Sequence, residues 1–260
     1  MSTWKTALVT GASVGIGESF ARQLAAEGTD LVIVARDRKR LEALAKELRE
    51  RHSVDVEVLR ADLGKKAQLR TVEERLAASE SPVDLLVNNA GFGTNGHFWE
   101  LDVDVEEQEI ALNVVALTRL THAALARMVP AGRGAVLNVS SMASFSPSPV
   151  NSTYSATKAY VSSFSQGIHE DLRGTGVTIT VVEPGFTRTE FQQRAGVSEN
   201  AVPDFAWMTA DDVAAEALDA VRKGHALCVP GRLNKVAAGA TSVVPRSVIR
   251  RAVGAMSGRF

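Results

Sequence analysis

Cysteine is nearly absent: Cys228 is the only one in 260 residues. That excludes an internal disulfide framework and a cysteine-cluster metal site. With a single thiol, a reducing cytoplasm is the default expectation. Charge is also sparse. Only 23% of residues are charged and the net charge is −1. A highly charged disordered chain is excluded, and so is nucleic-acid binding by bulk positive charge. Met1-Ser2-Thr3-Trp4-Lys5 lacks the apolar run of a signal peptide. No uninterrupted apolar stretch is long enough to span a bilayer. Acidic residues are missing from one region. Between Ala220 and Phe260 there is no Asp or Glu, against eight basic residues, which leaves 21 basic and 30 acidic residues elsewhere, a net −9. A basic tail thus follows an acidic body.

Hydrophobic residues make up 45% of the chain, enough for a large core. Their spacing alternates between two kinds of pattern. Short apolar runs at Thr6–Val9, Leu31–Val34, Val54–Leu59, Val83–Val87, Ala135–Val139, Val177–Val182 and Ala226–Val229 predict strands. Between them, helical spacing predicts helices over Gly17–Glu27, Leu41–Leu48, Leu69–Leu76, Val105–Val129, Tyr154–Leu172 and Asp211–Arg222. Gly28 is placed to stop the first helix, and Thr209 or Asp211 to cap the last. Strands alternating with helices predict an α/β fold: one doubly wound Rossmann domain with a mainly parallel sheet. This domain is expected to cover residues 1–230, with a basic helical extension over 231–260. Phe186–Met208 interrupts the alternation and is rich in polar and aromatic residues, as a substrate loop would be.

The first strand runs into Thr10-Gly11-Ala12-Ser13-Val14-Gly15-Ile16-Gly17. Glycines at a strand-to-helix junction allow a tight turn and let a pyrophosphate approach the backbone. The free N–H groups and positive dipole end of the following helix favour that anion. Four further motifs follow in order: Asn88-Asn89-Ala90-Gly91, Asn113 within a helix, Ser140-Ser141 before Tyr154-Ser155-Ala156-Thr157-Lys158, and Pro184-Gly185-Phe186-Thr187. The ordered set, over about residues 5–230, resembles the short-chain dehydrogenase/reductase family.

The residues fit that chemistry on their own terms. Tyr154 and Lys158 are four apart and share a helix face. A free tyrosine, with a pKa of about 10, is a poor base at neutral pH. A nearby ammonium and an oxidised nicotinamide would lower that value, so that Tyr154 exchanges a proton with a carbonyl or alcohol oxygen. The resemblance gives Ser141 the substrate oxygen and Asn113 a water that links Lys158 to solvent. Asn113 alternatively bonds nearby backbone, and Ser140 competes with Ser141. For the cofactor, the resemblance points to Gly11, Ser13, Gly15, Ile16 and Gly17 at the pyrophosphate. It adds Asp62 and Leu63 at the adenine, and Asn89, Ala90 and Gly91 near the ribose. Pro184, Gly185 and Thr187 would meet the nicotinamide, and Tyr154 and Lys158 its ribose. Arg36 ends the second strand where an NAD enzyme wants a carboxylate. A guanidinium there suits a 2′-phosphate, so NADPH/NADP is expected.

Phe186, Phe191, Phe205, Trp207 and Met208, with Phe92, Phe145, Pro147 and Pro149, suggest a pocket for an apolar carbonyl or alcohol. Arg188 and Arg194 lie in the loop. The resemblance also implies a homodimer or homotetramer through the two long helices. The tail suits peripheral contact with an anionic membrane, so the expected location is cytoplasmic or membrane-peripheral. The alternative reading is a binding protein that senses NADP(H), or a scaffold, without turnover.

Overall fold

The computed structural model describes residues 3–191 and 203–243. The strands are β1 Thr6–Thr10, β2 Asp30–Ala35, β3 Val56–Arg60, β4 Leu85–Asn88, β5 Gly134–Val139, β6 Val177–Val182 and β7 Leu227–Cys228. They form one sheet in the order β3-β2-β1-β4-β5-β6-β7, with every neighbouring pair parallel. A parallel sheet is covered on both faces, which is why its central strands are continuous apolar runs. The helices are α1 Gly15–Ala26, α2 Arg38–His52, α3 Lys66–Ala77, α4 Val103–Ile110, α5 Leu117–Ala131, α6 Ser152–Asp171, α7 Ala210–Arg222 and α8 Arg232–Val243. Among the described residues, no helix is long and apolar enough to cross a membrane.

Successive residues of each strand serve opposite faces. Ala7, Val9, Leu31, Ile33, Leu85 and Val87 pack with Phe20, Leu24, Leu41 and Leu48 of α1 and α2, and with Ala217 and Leu218 of α7. Leu8, Val32, Val34, Leu86 and Val136 pack on the other side with Leu69 and Val72 of α3 and Leu120 and Met128 of α5. Gly28, at φ +84°, ends α1. The Thr209 side chain caps α7 by accepting from the Asp212 amide at 3.1 Å, so of the two expected caps it is Thr209 that acts.

The single helix predicted over Val105–Val129 is interrupted. A π-helical stretch, Ala111–Ala116, separates α4 from α5 and carries Asn113. Such turns widen the backbone pairing from four residues to five and recur at functional sites. Apolar periodicity cannot reveal that change. The tail residues beyond Val243, including Arg246, Arg250, Arg251 and Arg259, lie outside the described residues. The start of the extension packs on the domain: Lys235 pairs with Glu216 at 3.0 Å, and Asn234 Nδ2 donates to the Pro230 carbonyl at 2.8 Å.

Chain order reverses between β1 and β4, since β2 and β3 lie to one side and β4–β7 to the other. Ligands of open α/β sheets bind at this switch point, beyond the carboxyl ends of the strands. A buried polar network fixes the helices there. Asn88 Nδ2 donates to Thr121 Oγ1 at 3.1 Å and to Asn138 Oδ1 at 3.0 Å, and Asn138 Nδ2 donates to Ser165 Oγ at 2.9 Å. The network ties β4 and β5 to α5 and α6. Replacing Asn138 with Ala leaves one of the two Asn88 amide N–H groups unpaired, the other still meeting Thr121, and a buried unsatisfied group costs about 1–3 kcal/mol. Urea unfolding of Asn138→Ala should show a stability lower by about that amount, with an unchanged denaturant slope.

Candidate active site

Thr10 ends β1 and organises the switch point. Its hydroxyl donates to the Val87 carbonyl at 3.2 Å and accepts from the amides of Asn89 and Ala90 at 2.9 and 3.0 Å. The Asn89 side chain then donates to the carbonyls of Thr10 and Gly11 at 3.0 and 3.3 Å. The Asn88-Asn89-Ala90-Gly91 motif thereby clamps the glycine turn from the neighbouring strand. Gly11 and Gly15 have φ of +65° and +60°, which L side chains rarely adopt. Gly17 has ordinary φ but no room: a Cβ there would run into the Gly11 carbonyl oxygen and the Asn89 amide.

This turn opens a cleft of about 960 Å3. Every expected cofactor residue except Gly17 lines it: Gly11, Ser13, Gly15, Ile16, Arg36, Asp62, Leu63, Asn89, Ala90, Gly91, Tyr154, Lys158, Pro184, Gly185 and Thr187. Gly17 lies beneath the turn and shapes it through close packing. Of the expected catalytic residues, Ser141, Tyr154 and Lys158 line the same cleft, and Asn113 is buried behind it.

The basic cluster after β2 divides by partner. Asp37 caps α2, accepting from the Arg40 amide at 3.0 Å. Arg38 pairs with Glu42 at 2.7 Å along its own helix. Arg40 pairs with Glu190 at 2.8 Å, across from the segment that follows β6. Arg36 makes no ion pair among the described residues and stays at the cleft wall. A tight glycine cradle, exposed backbone N–H groups and an uncommitted guanidinium fit a phosphorylated dinucleotide.

The reacting groups come from β5, α6 and the loop between them. Ser140 is buried and its hydroxyl donates to the Lys158 carbonyl at 2.7 Å, so it is committed to holding α6. Ser141 faces the cleft, with its hydroxyl accepting from the Ala143 amide at 3.1 Å. Lys158 is buried; its Nζ donates to the Val139 carbonyl at 2.9 Å and lies 5.5 Å from the centre of the Tyr154 ring. Asn113 spends its side chain locally: Nδ2 donates to the Phe92 carbonyl at 2.8 Å and to Thr157 Oγ1 at 3.1 Å, and Oδ1 accepts from the Phe92 amide at 3.1 Å. The backbone-bonded alternative is therefore what its side chain does.

Burial dominates the electrostatics of the pair. Burial pushes the phenol up to about 12, against a lowering contact from Ser141 and with a further raise from Glu109. Burial also takes Lys158 down to about 8, opposed by Glu109. Desolvation is the largest influence on both groups. Sequence reading missed Glu109 altogether. Its spacing, four before Asn113, was the available signal, since residues four apart share a helix face.

The aromatic pocket is only partly as expected. Phe92 and Phe191 line the cleft, with Val105 and Leu112, and Phe191 lies 5.6 Å from Tyr154, ring centre to ring centre. Phe186, Phe205, Trp207, Met208, Phe145, Pro147 and Pro149 are not among its lining residues. Backbone pairing explains part of this. The Met208 amide donates to the Phe186 carbonyl at 2.9 Å, which sets Phe186 against Trp207, and Arg188 stacks over Trp207. Arg188 also pairs with Asp204 at 2.8 Å. Arg194 lies outside the described residues.

The sheet order, the glycine turn at its switch point and a Tyr-x-x-x-Lys pair in the same cleft define a dinucleotide-binding oxidoreductase. The chain belongs to the short-chain dehydrogenase/reductase family, since the family model described as short chain dehydrogenase matches residues 5–200. It is 34% identical over 188 residues to the human very-long-chain 3-oxoacyl-CoA reductase, covering 71% of this chain but only 60% of that protein's length. It is 31% identical over 249 residues to human 17-beta-hydroxysteroid dehydrogenase type 3, covering 94% of this chain and 76% of that one. A solved short-chain dehydrogenase from Sphingobium yanoikuyae, in complex with NADPH, is 39% identical with a TM-score of 0.83, covering 92% of this chain and 96% of the other. The bulky-bulky ketone specific alcohol dehydrogenase from Comamonas testosteroni is 33% identical with a TM-score of 0.79, covering 93% and 95%. The chain therefore carries the dinucleotide-binding fold and site motifs of this family.

A methyl group at Gly17 tests the cradle. Overpacking of this kind costs about 1–3 kcal/mol. Gly17→Ala should weaken dinucleotide binding about tenfold or more, read by fluorescence titration, with an unchanged far-ultraviolet dichroism spectrum.

Proposed function

We propose that this chain is an NADP(H)-dependent oxidoreductase that interconverts a hydrophobic ketone or aldehyde and its alcohol. The observation that carries the reading is the shared cleft: Ser141, Tyr154 and Lys158 line it together with the glycine turn and the uncommitted Arg36. Apolar Phe92, Val105, Leu112 and Phe191 line it as well, which suits a bulky apolar substrate. The Sphingobium yanoikuyae relative holds NADPH and the Comamonas testosteroni relative takes bulky ketones. Both relatives support the same choice.

When bound, the nicotinamide supplies or accepts the hydride. The chain's residues hold that dinucleotide and manage the proton. Gly11–Gly17 receive the pyrophosphate at the helix N-terminus and Arg36 the 2′-phosphate. Asp62 and Leu63 border the adenine side, Asn89, Ala90 and Gly91 the adjoining ribose, and Pro184, Gly185 and Thr187 the nicotinamide. Ser141 donates to the substrate oxygen as negative charge grows there. Tyr154, a phenol at neutral pH whose pKa burial raises further, donates its proton to that oxygen during reduction; the phenolate this leaves is the form that takes the alcohol proton in the reverse direction. Lys158 presents its ammonium to the ring and backs the proton transfer. Asn113 fixes the Phe92 loop against α6 through its three side-chain bonds. A binding-only sensor or scaffold is not favoured, because it would need none of the Ser141–Tyr154–Lys158 arrangement.

Tyr154→Phe should keep NADPH binding and lose turnover by a factor of about 100 or more, measured as NADPH absorbance decay with bulky hydrophobic ketones. Persisting turnover would sink the assignment of the proton donor. Arg36→Ala should weaken NADPH by about ten- to a hundredfold, the cost of a lost charge-assisted bond of about 1.5–3 kcal/mol, and leave NADH unaffected. Equal losses for both dinucleotides would overturn the NADP(H) preference.

A further inference from the structure

Two carboxylates of α4 turn inward beside the reacting pair. Glu106 and Glu109 are both buried, and Glu109 is fully inaccessible to solvent. Glu109 Oε2 accepts from the Thr94 amide at 2.9 Å and from the Thr94 hydroxyl at 3.0 Å. Its Oε1 is buried with no partner among the described residues. An ionised carboxylate left half-bonded in an apolar interior is costly unless a cation faces it. The cation that acts on it is Lys158. The other titratable groups around it are Glu106 on its own helix and Tyr154 on α6. The loop Gly91–Thr94 brings only amides, carbonyls and a hydroxyl. Asn113, on the helix beyond, is uncharged.

The same carboxylates also grip the start of α6. Glu106 accepts from the Thr153 hydroxyl, one residue before Tyr154. The Thr94 carbonyl, on the residue bonded to Glu109, accepts from the Asn151 side chain at the head of α6. The Gly96 amide donates to the Val150 carbonyl at 2.7 Å, continuing the seam. Glu109 is thus linked to the reacting pair by charge and by two hydrogen-bonded steps.

We propose that Glu109 is a positioning residue for the Tyr154–Lys158 pair: its buried carboxylate holds Lys158 as the ammonium and Tyr154 as the phenol, and fixes the Gly91–Thr94 loop against α6. The effect keeps the donor proton on Tyr154, and the ammonium on Lys158, to higher pH. This inference rests on the reaction proposed above and specifies how its proton is kept in place. Burial brings Glu109 up to about 6, against the opposing Thr94 bonds. The Glu109 charge raises the pKa of both Lys158 and Tyr154, so removing it lets both protons leave at lower pH.

Two measurements test this. In the first, kcat/KM for ketone reduction is followed against pH for wild type and Glu109→Gln. The alkaline limb of the variant should move to lower pH by about one unit, the size expected for a neighbouring charge. The second needs no substrate. The chain has two tyrosines, Tyr154 and Tyr160, so a Tyr160→Phe background leaves the phenolate absorbance to Tyr154 alone. Its midpoint should fall by about one unit when Glu109→Gln is added. Lys158 is already neutral there, so the shift reports the carboxylate directly. Glu109→Met, apolar and of similar length, removes the charge without burying an amide, and replaces the glutamine variant if that one does not fold. A folded variant with an unmoved phenolate midpoint overturns the proposal whatever happens to kcat, because a purely structural role moves kcat alone. Absence of turnover in wild type with every ketone tried would sink the reaction reading, and the phenolate titration would still decide on Glu109.

Discussion

The site depends on Lys158 being held from two directions. Its side chain reaches the Val139 carbonyl at the end of β5, and its own carbonyl takes the Ser140 hydroxyl from the residue after that strand. One residue of α6 is thereby fastened to the carboxyl end of an interior strand, at the cleft floor. The Asn138–Ser165 bond repeats the fastening nearly two turns further along the helix. Everything that α6 presents to the cleft, Tyr154 above all, inherits its position from these contacts. The contacts of α1 and α2 with the sheet are apolar side chains, which have no fixed direction; hydrogen bonds have one.

Burial is the second consequence of that fastening. A lysine and a phenol packed at that strand end lose water, and their charged forms become harder to reach. The spacing of Tyr154 and Lys158 shows that they share a face but says nothing of the medium between them. The deciding quantity, desolvation, is a property of the whole fold.

Much of the architecture was legible because a doubly covered sheet writes itself into the chain. Apolar runs such as Thr6–Thr10 and Val177–Val182 have no other use, and glycines at 11, 15 and 17 mark a turn that no other residue fits. The site was legible where chemistry restricts residue type, as at Ser141, Tyr154 and Lys158. It was opaque where common residues do uncommon things. The stretch Asp102–Glu109 reads as an acidic, solvated face, yet Glu106 and Glu109 point inward. The π-helical turn at Asn113 leaves no trace in composition. The aromatics after β6 looked like pocket lining, but a backbone ladder between Phe186–Arg188 and Met208 sets Phe186 against Trp207 instead.

The separation of the two apolar layers has a consequence for how this sequence can drift. Leu8 and Val9 are chain neighbours, yet Leu8 belongs with Val72 and Leu120 while Val9 belongs with Phe20 and Leu24. A change at one is compensated by residues that never meet the other. Substitutions on opposite faces of the sheet therefore combine with little coupling, and those within a layer do not. The chain carries two packing problems that can be solved separately, and each layer is free to diverge while the other keeps the strands, and the cleft at their ends, in register.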